Sequence, residues 1–277
     1  MTAVLFPGQG SQTKDMRSDV ERLRPDLLEL ARTELGTDPF ERIDEGTHFA
    51  QPAIYCASLA GWSLVDPDEA TCMAGHSLGE FSALVAAGVL TERDGLRLVA
   101  LRGRLMHDAQ DGGGMMAVGA PVEVAADLAG RFGLTVANDN APEQVVLTGD
   151  GDAVDAAVEQ AKADGLRATR LRVSCAFHSP SMASAAPELA AALNEVELGE
   201  PSVPVYTCVT AAPIDDVRAR LVEGLTSPVR WRETVLAMQS AGETRFLEVG
   251  PGKVLAGLVR RIIDGADATS LKEAARA

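Results

Sequence analysis

Apolar residues along the chain fall into short runs separated by glycine, proline and polar clusters. Residues 2–6, TAVLF, form a run of strand length and predict a buried strand. PGQGSQ follows as a loop that can begin a helix. DLLELARTEL carries apolar residues at helical spacing. QPAIYCASLAGWSLV does the same, and Pro52 there fits the first turn of a helix. ATCMAGHS reads as a strand entering a turn. LGEFSALVAAGVL then predicts an apolar helix, and TERDGLRLVALRGRLMHDA a longer one.

The middle of the chain has a different rhythm. MMAVGA (115–120) predicts a strand and VEVAADLAGRF (122–132) a helix. LTVAND and EQVVLTG predict two strands joined by a short Asn/Ala/Pro turn. DAVDAAVEQAKADG predicts an amphipathic helix ending at Gly165, and RATRLRV a last strand. This β-α-β-β-α-β order is the ferredoxin-like pattern. It predicts a small α+β domain over residues 114–173, inserted into a larger one made of 1–113 and 174–277. In the flanking segments a loop holds AFHSPSM, PELAAALNEV is helical, and VPVYTCV is a strand. A further strand, TRFLEVG, leads into the helical PGKVLAGLVRRII. Alternating strands and helices imply an α/β fold whose mostly parallel sheet is covered by helices. The residues from about Ala266 read as a frayed tail.

Composition narrows the class. With 46% hydrophobic and 23% charged residues the chain is an ordinary globular protein, and no apolar run approaches the roughly 18 residues of a membrane span. The formal net charge of −15 argues against binding nucleic acid or an anionic membrane. Cys56, Cys72, Cys175 and Cys208 lack CxxC spacing, so neither a zinc site nor a redox motif is expected. Reduced, buried thiols fit a cytoplasmic protein. The opening MTAVLFPGQG has no basic stretch followed by a long apolar one, so no signal peptide is expected.

The chemistry concentrates in AGHSLGE, residues 74–80. A G-x-S-x-G motif between a strand and a helix pushes a serine hydroxyl out of a sharp turn. It also aims the next N–H at a developing oxyanion. Gly75 and Gly79 would let strand and helix approach closely. Ser77 is therefore a candidate nucleophile; the plainer reading is a helix cap. A nucleophilic serine needs a base, and only four histidines exist. His48 lies in a polar stretch, His76 adjoins the serine and would point elsewhere, and His107 reads as a solvated cation at a helix end. His178, after an apolar stretch, is the best candidate. Arg102 and Arg104, on spacing alone, read as surface helix arginines.

These motifs together resemble the malonyl-CoA:acyl carrier protein transacylase family, which includes polyketide-type acyltransferases. The resemblance runs nearly end to end. It rests on FPGQGSQ at 6–12, QPAIYCASLAG, GHSLGEFSAL, LRGRLM, EQVVLTG, AFHSPSM, SPVRW and FLEVGPGKVLAGLVRR. It implies an α/β-hydrolase-like large domain and assigns roles by position. Ser77 would carry the acyl group as an ester, and His178 would be its base. A backbone carbonyl at Gly224, where relatives often have glutamine, would orient His178. The N–H groups of Gln9 and Leu78 would form the oxyanion hole. Arg102 would hold the malonyl carboxylate through its planar fork. Phe177 would narrow the pocket towards malonyl, while Cys175 stands where the polyketide signature often has histidine. Asn140 and Gln51 match polar positions near the site.

The implied reaction is a ping-pong transfer from malonyl-CoA to the phosphopantetheine thiol of a holo acyl carrier protein, in fatty acid or polyketide biosynthesis. It needs no metal and no cofactor beyond the CoA thioester, and the chain is expected to be a monomer. Docking an acidic carrier would need a local basic patch; Arg167, Arg170 and Arg172, or Arg260 and Arg261, are candidates. The alternatives are an acyl hydrolase, or an acyltransferase for an unusual acyl group, acting on polyketide carriers.

Overall fold

The computed structural model describes residues 2–109, 112–173 and 175–274. Ten strands are found among them. In chain order they are β1 (Thr2–Phe6), β2 (Ala70–Gly75), β3 (Gly113–Gly119), β4 (Thr135–Ala141), β5 (Gln144–Asp150), β6 (Arg167–Arg170), β7 (Val205–Thr207), β8 (Ala212–Pro213), β9 (Arg245–Glu248) and β10 (Asp267–Ser270). Six of them form a sheet in the order β10-β9-β1-β2-β7-β8, and four form a second sheet in the order β4-β5-β3-β6.

The large sheet is parallel except for the β7–β8 pair. Parallel neighbours need crossovers, which the chain supplies as helices. Side chains of β1 alternate between two covered faces. Val4 and Phe6 pack with Leu27, Ile54, Leu59 and Phe81 of the helices on one face. Ala3 and Leu5 pack with Trp231, Val235, Leu255 and Val259 on the other. Burial on both faces explains why Ala3–Phe6 is apolar throughout rather than alternating.

The small sheet is antiparallel, as the sequence pattern predicts. Met116, Val118, Val145 and Leu147 face its own two helices, Val122–Phe132 and Gly151–Ala163. Met115, Ala137 and Val146, one position out of phase, instead join the core of the large unit. The two units are stitched at β4. Val229 donates its N–H to the Ala137 carbonyl at 2.8 Å and accepts from the Asp139 N–H at 2.9 Å. Arg232 pairs with the 5% exposed Asp139 at 2.8 Å.

Four local expectations change. Pro52 lies inside the helix Thr47–Trp62 rather than in its first turn. That helix begins five residues earlier, at the turn after Gly46, and it carries His48 into a helix instead of a polar stretch. The stretch from Ala266 is not a frayed tail throughout. β10 adds to the sheet beside β9 with Ala268 and Ser270 buried, and the helix Leu271–Ala274 follows. Residues 275–277 of that predicted tail lie outside the described residues. Finally, of the segment RATRLRV only Arg167–Arg170 is paired as strand, against Met116–Gly119 of β3.

Candidate active site

The turn between β2 and the helix Gly79–Ala86 holds Ser77 at φ 54°, the left-handed region that non-glycine residues seldom adopt. Such strain costs on the order of 1–3 kcal/mol and persists only where its surroundings enforce it. Enforcement comes from packing on either side. A Cβ on Gly75 would lie 1.9 Å from the Gly79 carbonyl carbon, and one on Gly79 would lie 2.1 Å from the Phe6 carbonyl oxygen. Both glycines are thus required for the close approach of strand, turn and helix. His178 has the same strained backbone, φ 57°.

These two residues meet although 101 positions separate them: Ser77 Oγ lies 2.9 Å from His178 Nε2. On its other side the imidazole Nδ1 is 2.9 Å from the Gly224 carbonyl oxygen. A carbonyl only accepts, so Nδ1 carries the proton and Nε2 presents its lone pair to the serine. Arg102 completes the arrangement. It is 3% exposed, donates from Nη2 to Ser77 Oγ at 3.0 Å, and donates from Nη1 to Gln51 Oε1 at 2.8 Å. Gln51 in turn donates to Thr47 Oγ1 at 2.9 Å, and Thr47 donates to Gln9 Oε1 at 2.7 Å. One chain of side chains therefore ties the guanidinium to the loop after β1. No carboxylate pairs with Arg102 among the described residues; Glu80 acts on it only through space.

Electrostatics follow from burial. Desolvation, then the Arg102 charge, then His76 push the His178 imidazole down to about 3, so it is neutral at working pH. Burial lowers Arg102 only to about 10, leaving it a cation. Histidine-selective NMR is expected to show the His178 ring neutral at pH 6, with its midpoint far below the usual 6.5. The Arg102→Gln variant should move that midpoint up. A wild-type midpoint near 6.5 would contradict the assigned environment. Because the unfolded chain binds this proton near 6.5 and the folded one only near 3, the group destabilises the fold progressively as pH falls through that window.

A cleft of about 460 Å³ opens over this cluster, beside the face of the small sheet that carries Met115, Ala117 and Val146. It gathers the candidate nucleophile and base with the candidate oxyanion-hole and substrate-binding residues. Gln9, Gln51, Ser77, Leu78, Arg102, Asn140, Phe177 and His178 all line it. Neither the Gln9 nor the Leu78 N–H donates to another group among the described residues, so both are available to a ligand. Asn140 Oδ1 lies 2.8 Å from His76 Nε2, and Phe177, 8% exposed, is part of the cleft wall. Cys175 is fully buried and donates to the Met106 carbonyl instead of facing substrate. The other thiols are buried as expected.

Sequence reasoning missed or misplaced four residues. His76 lines the cleft rather than pointing away. His107 is half-buried rather than out in solvent, its ring 4.2 Å from that of His48. Thr47 relays the hydrogen-bond chain. Glu80 is 6% exposed and accepts from the Cys208 N–H at 2.6 Å and from Thr207 Oγ1 at 3.1 Å, with burial raising it to about 7. A carboxylate on an otherwise apolar helix was the available signal for Glu80; nothing in the sequence marked the others. Of the candidate docking arginines, Arg170 is taken up by Asp155 and the Gly151 carbonyl, Arg260 by the Ala268 carbonyl, and Arg261 by Gln144. Arg167 reaches Glu143 at 3.8 Å, and Arg172 lines the cleft.

A serine with a neutral histidine at its hydroxyl, on a strand–turn–helix of a helix-covered parallel sheet, defines a serine acyl-transfer enzyme. Comparison with known proteins agrees. A family model described as "Acyl transferase domain" matches residues 40–275. The malonyl CoA-acyl carrier protein transacylase of Escherichia coli O157:H7 is 39% identical over 300 residues, covering 98% of this chain and 96% of that protein. The polyketide biosynthesis protein ThaF of Burkholderia thailandensis is 40% identical over 280 residues; the match takes in 95% of this chain but only 24% of that larger protein. Among solved structures, the malonyl-CoA:acyl carrier protein transacylase of Xanthomonas oryzae pv. oryzae superposes with a TM-score of 0.91 at 38% identity, covering 99% of this chain and 96% of that one. The chain belongs to the malonyl-CoA:acyl carrier protein transacylase family. Among the described residues no helix is long and apolar enough to cross a membrane.

Proposed function

We propose that this chain moves a malonyl group from malonyl-CoA to the phosphopantetheine thiol of a holo acyl carrier protein, in two half-reactions through an ester on Ser77. Arg102 carries this reading: a buried guanidinium with no carboxylate partner among the described residues, 3.0 Å from the nucleophile. A buried cation is costly unless an anion joins it. The free carboxylate of a malonyl group supplies that anion where an acetyl or longer monocarboxylic chain has none. The same consideration disfavours an acyl hydrolase.

In the first half-reaction the Ser77 hydroxyl passes its proton to His178 Nε2 as Oγ attacks the thioester carbonyl carbon. The resulting oxyanion is held by the N–H groups of Gln9 and Leu78. Collapse breaks the C–S bond, and His178 returns the proton to the departing CoA thiolate. In the second, His178 takes the proton of the carrier thiol, sulfur attacks the ester, and the proton ends on Ser77 Oγ. Gly224 keeps the imidazole in the required tautomer through its carbonyl. Gln51 aims Arg102, and Asn140 fixes His76 at the cleft wall. Phe177 limits the space beside the α-carbon, a preference of about 1–3 kcal/mol per methyl group excluded. Residues 1–113 and 174–277 form the domain that carries the chemistry, and 114–173 the domain that roofs the cleft.

Intact-protein mass spectrometry tests the proposal directly. Malonyl-CoA is expected to add one malonyl group to the chain, and added holo carrier protein to remove it and become malonylated. Absence of the adduct, or release of free malonate in place of carrier malonylation, would count against it.

A further inference from the structure

Charge in the cleft is the reverse of charge on the chain. The protein has 40 acidic and 25 basic residues, yet the described residues lining the cleft include no carboxylate and two charged groups, Arg102 and Arg172. They differ in setting. Arg102 is at the nucleophile and 3% exposed; Arg172 is exposed and makes no ion pair with a described residue. This sets Arg172 apart from Arg170, two positions earlier, which is held by Asp155 at 2.7 Å.

The place of Arg172 is set by the fold. Beyond β6 the Leu171 N–H donates to the Met115 carbonyl at 2.9 Å, which carries the chain along the cleft wall. Leu171, Arg172 and Val173 all line the cleft before the chain reaches His178. Six residues span at most about 20 Å, so Arg172 stands within an extended ligand's length of the reacting atoms.

Resting on the transacylase reading, we propose that Arg172 binds the phosphate of the phosphopantetheine arm, the group both substrates carry beyond the thioester. The malonyl carboxylate occupies Arg102 and the carbonyl lies at Ser77, so the remainder of either substrate leads outward. Pantetheine itself is uncharged, and its phosphate is the first charge met on that path. A guanidinium fork suits phosphate oxygens. One site thus serves the CoA donor and the carrier acceptor in turn and sets the arm's register in both half-reactions. Because Arg172 is exposed, solvent weakens the pair, and the effect is about tenfold rather than the hundredfold of a buried contact.

The test compares Ser77 acylation rates per concentration for malonyl-CoA, malonyl-4′-phosphopantetheine and phosphate-free malonyl-pantetheine, with wild type, Arg172→Gln and Arg172→Lys. In Arg172→Gln the preference for either phosphorylated thioester over malonyl-pantetheine is expected to fall about tenfold, and Arg172→Lys to restore part of it. An equal loss on all three thioesters would mean that Arg172 merely supports the wall. Loss confined to malonyl-CoA would assign it to the nucleotide end. Either result overturns the inference. Wild type that is not acylated by any of the three would instead sink the transacylase reading on which it rests.

Discussion

Replacing Ser77 by alanine is expected to abolish the malonyl adduct and to lower carrier malonylation by about 10⁴-fold or more. Both half-reactions pass through its oxygen, and among the described residues no other side chain of the cleft has a hydroxyl on a neutral imidazole. Ser11, the nearest alternative in the lining, is 4% exposed and donates to the Gly8 carbonyl. The protein should fold as before, because alanine meets the same turn at the same φ. Ser77→Gly should lose the adduct equally while raising Tm, since glycine relieves the φ 54° strain. Rapid-quench mass spectrometry and thermal melts would read both effects. A persisting adduct in Ser77→Ala would place the acyl group on another residue.

The second large effect concerns substrate choice. Arg102→Ala is expected to lower kcat/KM for malonyl-CoA by about 10²–10³-fold, and to leave acylation by acetyl-CoA unchanged or faster. The loss should be that large because the lost contact is buried: a carboxylate left without its guanidinium in a desolvated cleft bears its full desolvation cost. Arg102→Lys should recover little, since one ammonium cannot reproduce the fork that now donates separately to Gln51 and Ser77. Competition between malonyl-CoA and acetyl-CoA, scored by adduct mass, gives the measurement. Parallel losses on both thioesters would reduce Arg102 to a scaffold for Ser77.

The two variants probe different parts of one construction. Ser77 depends on local sequence: apolar β2, two glycines and a helix start within eleven residues create its turn. Arg102 depends on packing. Its helix, Glu92–Asp108, lies against Thr47–Trp62, and only that contact brings Gln51 to its side and removes water from it.

Much of the molecule was already legible in the chain. Apolar runs of strand length predicted nearly every sheet segment, because a parallel sheet buried on both faces demands them. The order of elements from Gly113 to Arg170 predicted a ferredoxin-like sheet, because strand and helix periodicities differ enough to be told apart. Errors fell where the deciding force was not local. Pro52 resembled a helix start until tertiary packing extended the helix back to Thr47, and the polar stretch after Ala266 became β10 only because β9 presented an open edge.

By itself the sequence determined the elements, the strained turn at Ser77 and the set of side chains able to do acyl chemistry, all of which depend on near neighbours. The sequence already singled out His178 among the four histidines, but only the tertiary structure brings it to the serine, across 101 positions. It also sets the Gly224 carbonyl 2.9 Å from that imidazole, a contact that any residue type could supply and that only the resemblance had pointed to. It also turned Arg102 inward and left Arg172 in the open cleft. A helix or loop carries the same arginine in either setting, and only what packs around it fixes whether water or substrate becomes its partner.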